Sequence, residues 1–453
     1  MTGLSDLTAT EALDRMRSGI LSPVDYLDAL LDRIDDREPT IQSWVCMDRE
    51  GAREAARSAE QAYANGSAGP LCGIPVGIKD LILTERLPTA GNFAPMRAFN
   101  PRYDATCIAK LRAAGAVILG KVETTQFAGR DPSRTYNPWD PDRTASGSSS
   151  GSAAAVADRM VPITLGTQTG GSVIRPASYM GVVGFTPTFG RVSRHGLLPR
   201  SYSFDMIGVM GRSVTDVALF GATISDPDPR DRATQKRTGF KLPAAPTDRP
   251  PRLLLCEDFF DLSSDDVTRH VSAAVDRLAT AGAEVRRARL PVRLELLISL
   301  HTVILITEAS STQMSNMAKH REHFAPGLLS QLDIGSAVPA SAYIHTQRLR
   351  HRIRLQFEAL LKGVDGFVLP STSEVAPDRS TIGPRLCQTP WTILGWPCFT
   401  VPVGLGDEGL PVGLQVVAGP FKETRLIEVA DWIERRLDPM PAPGAYQAAA
   451  GIR

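Results

Sequence analysis

"RTASGSSSGSAAAVADRM", residues 143–160, sets five serines and two glycines between Ala145 and Ala153, then turns abruptly into small apolar residues. Four readings compete for it. A flexible linker needs polar flanks, but this stretch runs into AAAVADRMVPITLG, whose small side chains suit a tightly packed, buried segment. A phosphate loop needs a lysine after its last glycine, and Ser152 follows Gly151. Gly147-Ser148-Ser149-Ser150-Gly151 satisfies the G-x-S-x-G elbow, which requires a buried strand directly before it. The preceding YNPWDPDRTAS is loop chemistry, so the elbow reading is weak.

The fourth reading couples the serines to LGTQTGGSVIRPAS, residues 165–178. Paired glycines let consecutive backbone N–H groups turn toward one point, as an oxyanion hole requires. Ser172 ends that turn and is a candidate nucleophile, which needs a base. No histidine lies in a conspicuous motif. Lys79 ends the apolar run GIPVGIK, where a charge is costly to bury unless it is paired or given up. Bringing a lysine from about 10.4 to near 7 needs roughly 4–5 kcal/mol of differential stabilisation. Burial against that run supplies much of it, and serine–lysine pairs are a known variant of triad logic.

Outward from these motifs, strand-like and helix-like runs alternate. AVILG (116–120), MVPITLG (160–166), GVVGFTP (181–187) and RLLLCED (252–258) read as strands, as do GFVLPST, CFTVPVG and VGLQVVAG later on. The first seventy residues read as helical, with Ser22-Pro23 as cap and first helical position. Ser263 and Asp266 form a candidate capping box, and Lys422 to Leu437 an amphipathic helix. This alternation predicts an α/β fold whose sheet is covered on both faces. Residues 226–251, rich in proline and charge, read as a surface loop within a single domain spanning 1–453.

Fifty basic against forty-nine acidic residues leave a net charge of +1, so no whole-chain field attracts nucleic acid or an anionic membrane. The basic helix at 343–363 reads as a solvated face or a partner contact. No run of eighteen apolar residues and no leader pattern is visible, so neither a membrane span nor a signal peptide is expected. The six cysteines are scattered without a CxxC pair, which predicts free thiols in a reducing, cytoplasmic setting. His320 and His323 lack a second ligand pair, so no metal is expected.

GPLCGIPVGIKD, ASGSSSGSAAAVA, GTQTGGSVIRPAS and GLPVGLQVVAG, in this order, resemble the amidase signature family of serine hydrolases. The resemblance runs from about Ala12 to Arg436, with its core at 73–215 and helices over 1–70 packed outside. It implies one α/β/α domain around a large mixed sheet. It also implies a catalytic triad of Lys79, Ser148 after a cis peptide, and Ser172, with the backbone of Thr169, Gly170, Gly171 and Ser172 as oxyanion hole. Ser149 becomes a hydrogen-bond partner of that triad. No cofactor is implied, and homodimers are common in the family. Departures from the common pattern are Ser146 and Ser150 for glycines, Gln168 for aspartate, Cys72 for histidine and Thr186 for lysine.

Three positions carry open readings. Arg175 is either a clamp for a substrate carboxylate or a structural arginine paired with a carboxylate such as Asp205. Phe127, Trp391 and Trp396 are candidates for the acyl pocket, with core packing as an equal alternative. Asp80, Asp205 and Arg212 are expected as scaffold around the site. The resemblance implies a stand-alone amidase that cleaves a small or aryl carboxamide, anilides and carbamates included, to acid and ammonia or amine. The alternatives are the glutaminase subunit of a tRNA-dependent amidotransferase, whose usual GSIRQPA differs from GSVIRPAS here, and a hydrolase of dicarboxylic half-amides. A non-enzymatic binding module is disfavoured by the complete Lys79–Ser148–Ser172 set.

Overall fold

The computed structural model describes residues 3–234 and 238–443. Its strands are β1 (Trp44–Met47), β2 (Pro75–Lys79), β3 (Val117–Val122), β4 (Ile163–Gln168), β5 (Val183–Thr186), β6 (Met206–Gly211), β7 (Arg252–Cys256), β8 (Glu284–Ala288), β9 (Gly366–Pro370), β10 (Cys398–Leu405) and β11 (Pro411–Val417). They form one sheet in the order β1-β3-β2-β4-β6-β5-β10-β11-β9-β7-β8. β2 runs parallel to both β3 and β4, and β7 parallel to β8 and β9, while the remaining pairs are antiparallel. The sheet is therefore mixed and large, with helices on both faces, as expected.

Side-chain alternation along the strands divides the core. Ile118 of β3 joins one apolar cluster, while its neighbours Val117 and Leu119 join another. Leu253 and Leu255 of β7 likewise face away from Leu254 and Cys256. This is the two-residue period of a strand buried on both sides. Helices Val214–Ile224, Asp265–Thr280 and Glu423–Glu434 cover the first face. Helices Ser150–Ala157, Leu294–His320 and Thr389–Leu394 contribute to the clusters opposite.

Three strands escaped the sequence reading. β1 is four residues long and interrupts the helical amino-terminal region, between helices Pro23–Ile41 and Arg49–Ala64. β6 (MIGVMG) is broken by glycines, and β8 (EVRRA) is a charged edge strand. The expected capping box does not form: Ser264, not Ser263, caps helix Asp265–Thr280 by accepting from Val267 N, and the valine at that position has no acceptor to reciprocate. Ser263 donates instead to the carbonyl of Phe259. Residues 226–251 carry no helix or strand, and 235–237 within them lie outside the described residues. Leu294–His323 is long and apolar enough to cross a membrane, yet 56% of its most apolar window is buried inside the protein. All six cysteines are unbridged.

The serine stretch ends in the helix Ser150–Ala157, every residue of which is buried. Its small residues are a packing requirement. A Cβ on Gly151 would lie 2.3 Å from the Ser43 carbonyl oxygen and 2.4 Å from Glu123 N, closer than any side chain tolerates. Because β2 and β4 are parallel neighbours, their carboxyl ends open on the same edge. Lys79 ends one and Gln168 the other, so the lysine and the glycine turn become neighbours there.

Candidate active site

Lys79 is fully buried, and its Nζ lies 2.7 Å from Ser148 Oγ, 2.9 Å from Ser149 Oγ and 2.9 Å from Thr167 Oγ1. Among the described residues no carboxylate forms an ion pair with it. Burial pushes its pKa well below the ordinary lysine value. Asp205 opposes that shift and Arg200 adds to it. A neutral amine has two N–H donors and one lone pair, and the hydroxyls around it can be assigned accordingly. Ser149 Oγ lies 3.3 Å from the Thr167 carbonyl, to which it donates, so toward Lys79 it accepts. With Thr167 taking the second N–H, the lone pair is left for the hydroxyl of Ser148.

The Gly147–Ser148 peptide is cis, and both flanking carbonyls are held. Arg175 Nη2 donates to the Gly147 oxygen at 2.6 Å, and Thr125 N to the Ser148 oxygen at 3.1 Å. Ser146, where glycine is usual, has φ +63° and so occupies the left-handed region. Its Oγ bridges the Ile382 carbonyl and Arg175 Nε. Ser150 pairs with Ser133 at 2.6 Å.

The turn after β4 is pulled open by its surroundings. His301 Nε2 donates to the Thr169 carbonyl at 2.8 Å, Thr392 Oγ1 to the Gly170 carbonyl at 2.7 Å, and Arg175 N to the Gly171 carbonyl at 2.9 Å. Gln168 Oε1 accepts from Val173 N at 3.0 Å and Ile174 N at 3.2 Å. A carboxamide thus performs the acceptor work available to the usual aspartate, without its charge. With those groups engaged, no acceptor among the described residues takes the N–H groups of Gly170, Gly171 or Ser172. The N–H of Thr169 likewise has no acceptor among the described residues, while its carbonyl accepts from His301 and its hydroxyl donates to Asp205 at 2.7 Å.

Thr169, Gly170, Gly171 and Ser172 line a cavity of about 640 Å³, walled also by Arg130, Arg200, Leu305, Ile382 and Arg385. The structure brings Lys79 and Ser148 into contact and places Ser172, with its unengaged N–H group, on the cavity wall. Other expectations need correction. Trp391 is wholly buried among Phe259, Phe357, Phe367 and Trp396, so it and Trp396 belong to the core. Phe127 packs on Phe93 and Phe324 behind the cavity wall and meets it only through its carbonyl, which accepts from Arg200. Aromatic stacking in the interior outweighs exposure at the cavity for all three.

Arg175 is not paired with Asp205. Its guanidinium is held by Ser146 Oγ at 3.1 Å and by the Gly383 and Gly147 carbonyls at 2.5 and 2.6 Å, so three of its five N–H groups bind the protein itself. Asp205 accepts instead from Thr169 Oγ1, Arg200 N and Ser201 N. Asp80 is scaffold: it pairs with buried Lys121 at 3.3 Å and accepts from Gly91 N at 3.0 Å. Arg212 lies in a different cleft, with Glu11 and Glu434, where it binds the carbonyls of Ser5 and Leu7.

The model of the Amidase family matches residues 25–427. The chain belongs to the amidase signature family. It is accordingly a hydrolase of carbon–nitrogen amide bonds. Among its relatives, the A-type subunit of the glutamyl-tRNA(Gln) amidotransferase of Roseiflexus castenholzii is 34% identical, over 97% of each chain. The native peptide amidase of Stenotrophomonas maltophilia superposes with a TM-score of 0.84 at 27% identity, covering 97% of this chain and 98% of that one. A protein from a complex bearing on the origins of an s-triazine catabolic enzyme superposes at 0.88 with 27% identity, over 95% of this chain and 98% of its own.

The signature residues were legible because they are consecutive and of unusual type. His301, Arg130, Arg200 and Arg385 were not singled out by the sequence. For His301 a signal existed, a lone imidazole within the apolar LISLHTVILI; the three arginines stand outside any motif. The His301 ring stacks on Phe204 at 4.7 Å, and burial, with Arg385 nearby, keeps it far below the ordinary histidine pKa. It is therefore neutral, with its proton on the nitrogen that faces Thr169.

Proposed function

We propose that this enzyme hydrolyses a small linear amide to an acid and ammonia or amine through an acyl-enzyme on Ser172. The observation that carries the reading is the buried Lys79, without a carboxylate partner among the described residues and 2.7 Å from Ser148, beside a cavity lined by the N–H groups of Thr169 to Ser172, which none of the described residues accepts. Ser172 Oγ attacks the carbonyl carbon. Its proton passes to Ser148 as the Ser148 proton passes to the Lys79 lone pair. The oxyanion is received by the N–H groups of the turn Thr169 to Ser172. Collapse breaks the C–N bond as the relay runs in reverse, Lys79 to Ser148 to leaving nitrogen. Water then enters by the same relay, and the ester of Ser172 is cleaved to acid. Residues 3–234 and 238–443 act in this as one unit, since a single sheet uses strands from both sides of 226–251.

A second reading, the glutaminase component of an amidotransferase, is favoured by the relatives, several of which bear that enzyme's name at 32–35% identity. The charge of the cavity argues the other way. Four arginines line it and would attract the α-carboxylate of glutamine, but its α-ammonium finds one carboxylate, Asp131, which already accepts from Gly327 N and Leu328 N, so a substrate with a carboxylate and no ammonium suits the cavity better. The test is product release by the purified chain alone. The panel holds glutamine, aliphatic and aryl amides, dicarboxylic half-amides, an anilide and a carbamate, with Ser172→Ala as control. Turnover of amides other than glutamine, lost in the variant, supports the first reading; activity on glutamine alone supports the second. Turnover that persists in Ser172→Ala defeats both.

A further inference from the structure

The cavity beside Ser172 carries positive charge that its own walls do not neutralise. Four arginines line it, at positions 130, 175, 200 and 385, against Asp131 as the one carboxylate among the described lining residues. Asp131 is committed at 2.8 Å to each of two backbone N–H groups opening the helix Pro326–Ser336. Two of the arginines are committed as well. Arg175 is tied to Ser146 and two carbonyls, and Arg200 donates to the Phe127 carbonyl at 3.0 Å and to Gln331 Oε1 at 2.9 Å.

Arg385 and Arg130 differ. Among the described residues neither guanidinium has a hydrogen-bond or ion-pair partner. Arg385 is partly buried and lies over the glycine turn. A Cβ built on Gly170 would stand 3.2 Å from its Cδ and 3.6 Å from its Nη1. Burial, then the charge of Arg130, push its pKa down to about 10, so at neutral pH it is still a cation. Desolvating a cation without a counterion is unfavourable. Arg385 is therefore a partly desolvated cation without a counterion among the described residues, and a planar anion entering the cavity would pair with it.

We propose that Arg385, with Arg130 beside it, receives a carboxylate on the acyl part of the substrate, so that the preferred substrates are half-amides of short dicarboxylic acids. The inference rests on the assignment of Ser172 as nucleophile. The N–H groups of Thr169 to Ser172 take the carbonyl oxygen, and the guanidinium packed on Gly170 then stands a few bonds along the acyl chain. A guanidinium fork matches a carboxylate in two parallel hydrogen bonds. The same cations disfavour a substrate that carries an ammonium at that end without a carboxylate. An uncharged acyl chain leaves Arg385 unpaired.

Binding is measured by calorimetry on Ser172→Ala, which keeps the cavity and prevents turnover. The probes are malonamate, succinamate and glutaramate, each beside its uncharged methyl ester. One or more acids bind more tightly than their esters. Adding Arg385→Gln weakens the acid by roughly 10- to 150-fold, the range of a charged hydrogen bond, and leaves the ester nearly unchanged. Arg385→Lys recovers part of the loss, and Arg130→Gln gives a smaller one, which covers the case of a misfolded Arg385 variant. Equal affinity for acid and ester, no binding of any half-amide, or an acid affinity indifferent to both Arg385→Gln and Arg130→Gln overturns the proposal. Labelling of wild-type Ser172 by a fluorophosphonate separates the two claims. Labelling without acid selectivity refutes the carboxylate site alone, and acid selectivity without labelling refutes the nucleophile.

Discussion

Replacing Lys79 by methionine tests the electrostatic heart of the site without measuring any reaction. In the folded protein the lysine is wholly buried and its pKa is driven well below the ordinary value. In the unfolded chain it titrates near 10.4. Between those two pKa values the unfolded state binds a proton that the folded state does not, so stability rises with pH across the window. It is fully gained above about 10.4 and lost as pH falls toward the folded pKa. One proton contributes about 1.4 kcal/mol per pH unit. Between pH 7 and 9 the wild type should therefore gain about 2.7 kcal/mol relative to Lys79→Met, provided the folded pKa lies below 7. The variant also deprives Ser148, Ser149 and Thr167 of their partner, at about 1–3 kcal/mol per unsatisfied group. That loss is independent of pH, so the slope decides the test and the absolute stability does not. The assay is urea unfolding of both proteins at half-unit steps from pH 6.5 to 9.5. Parallel curves would mean that Lys79 is protonated in the folded state and would refute the base assignment. Turnover of the variant should be lost at every pH.

Gln168→Ala frees the N–H groups of Val173 and Ile174 and lets the candidate oxyanion loop relax. A fall in kcat of about 10²-fold with little change in KM is expected, as for removal of an oxyanion donor, and a change in KM alone would count against that role. His301→Gln keeps a donor for the Thr169 carbonyl and His301→Phe does not, so kcat should survive the first and fall in the second. Because burial holds His301 neutral, wild type and His301→Gln should share the same pH profile between pH 5 and 8. Trp391→Ala removes a core ring and should cost about 3–5 kcal/mol in chemical denaturation. KM should not change in the folded fraction, whereas a pocket-lining tryptophan would move it.

Legibility followed the range over which each feature is specified. Lys79, Ser148 and Ser172 were readable because a relay needs those residue types in short local contexts, each announced by glycine or serine clustering. Strands β4, β9 and β11 were readable because sheet burial leaves a continuous apolar run. β8 was not, because an edge strand faces water and need not be apolar. Phe127 and Trp391 could not be assigned, since an aromatic side chain suits a pocket and a core equally well until its neighbours are known. The sequence points to Arg175 as bearing on the site but not to its partners, because its two carbonyl acceptors come from Gly147 and Gly383, on separate loops.

The sequence by itself determined the α/β class, the amidase family and the three residues of the candidate relay. Each depends on backbone geometry or on residue types that act within a short stretch of chain. Only the tertiary structure decided that, among the described residues, Lys79 lacks a carboxylate partner and Arg385 stands unpaired over Gly170, and that Gln168 and His301 hold the glycine turn. Those are facts about solvation and charge balance, set largely by groups far apart in the chain. No local pattern encodes the desolvation of a lysine or the surplus charge of a cavity, because both are sums over everything the fold brings together.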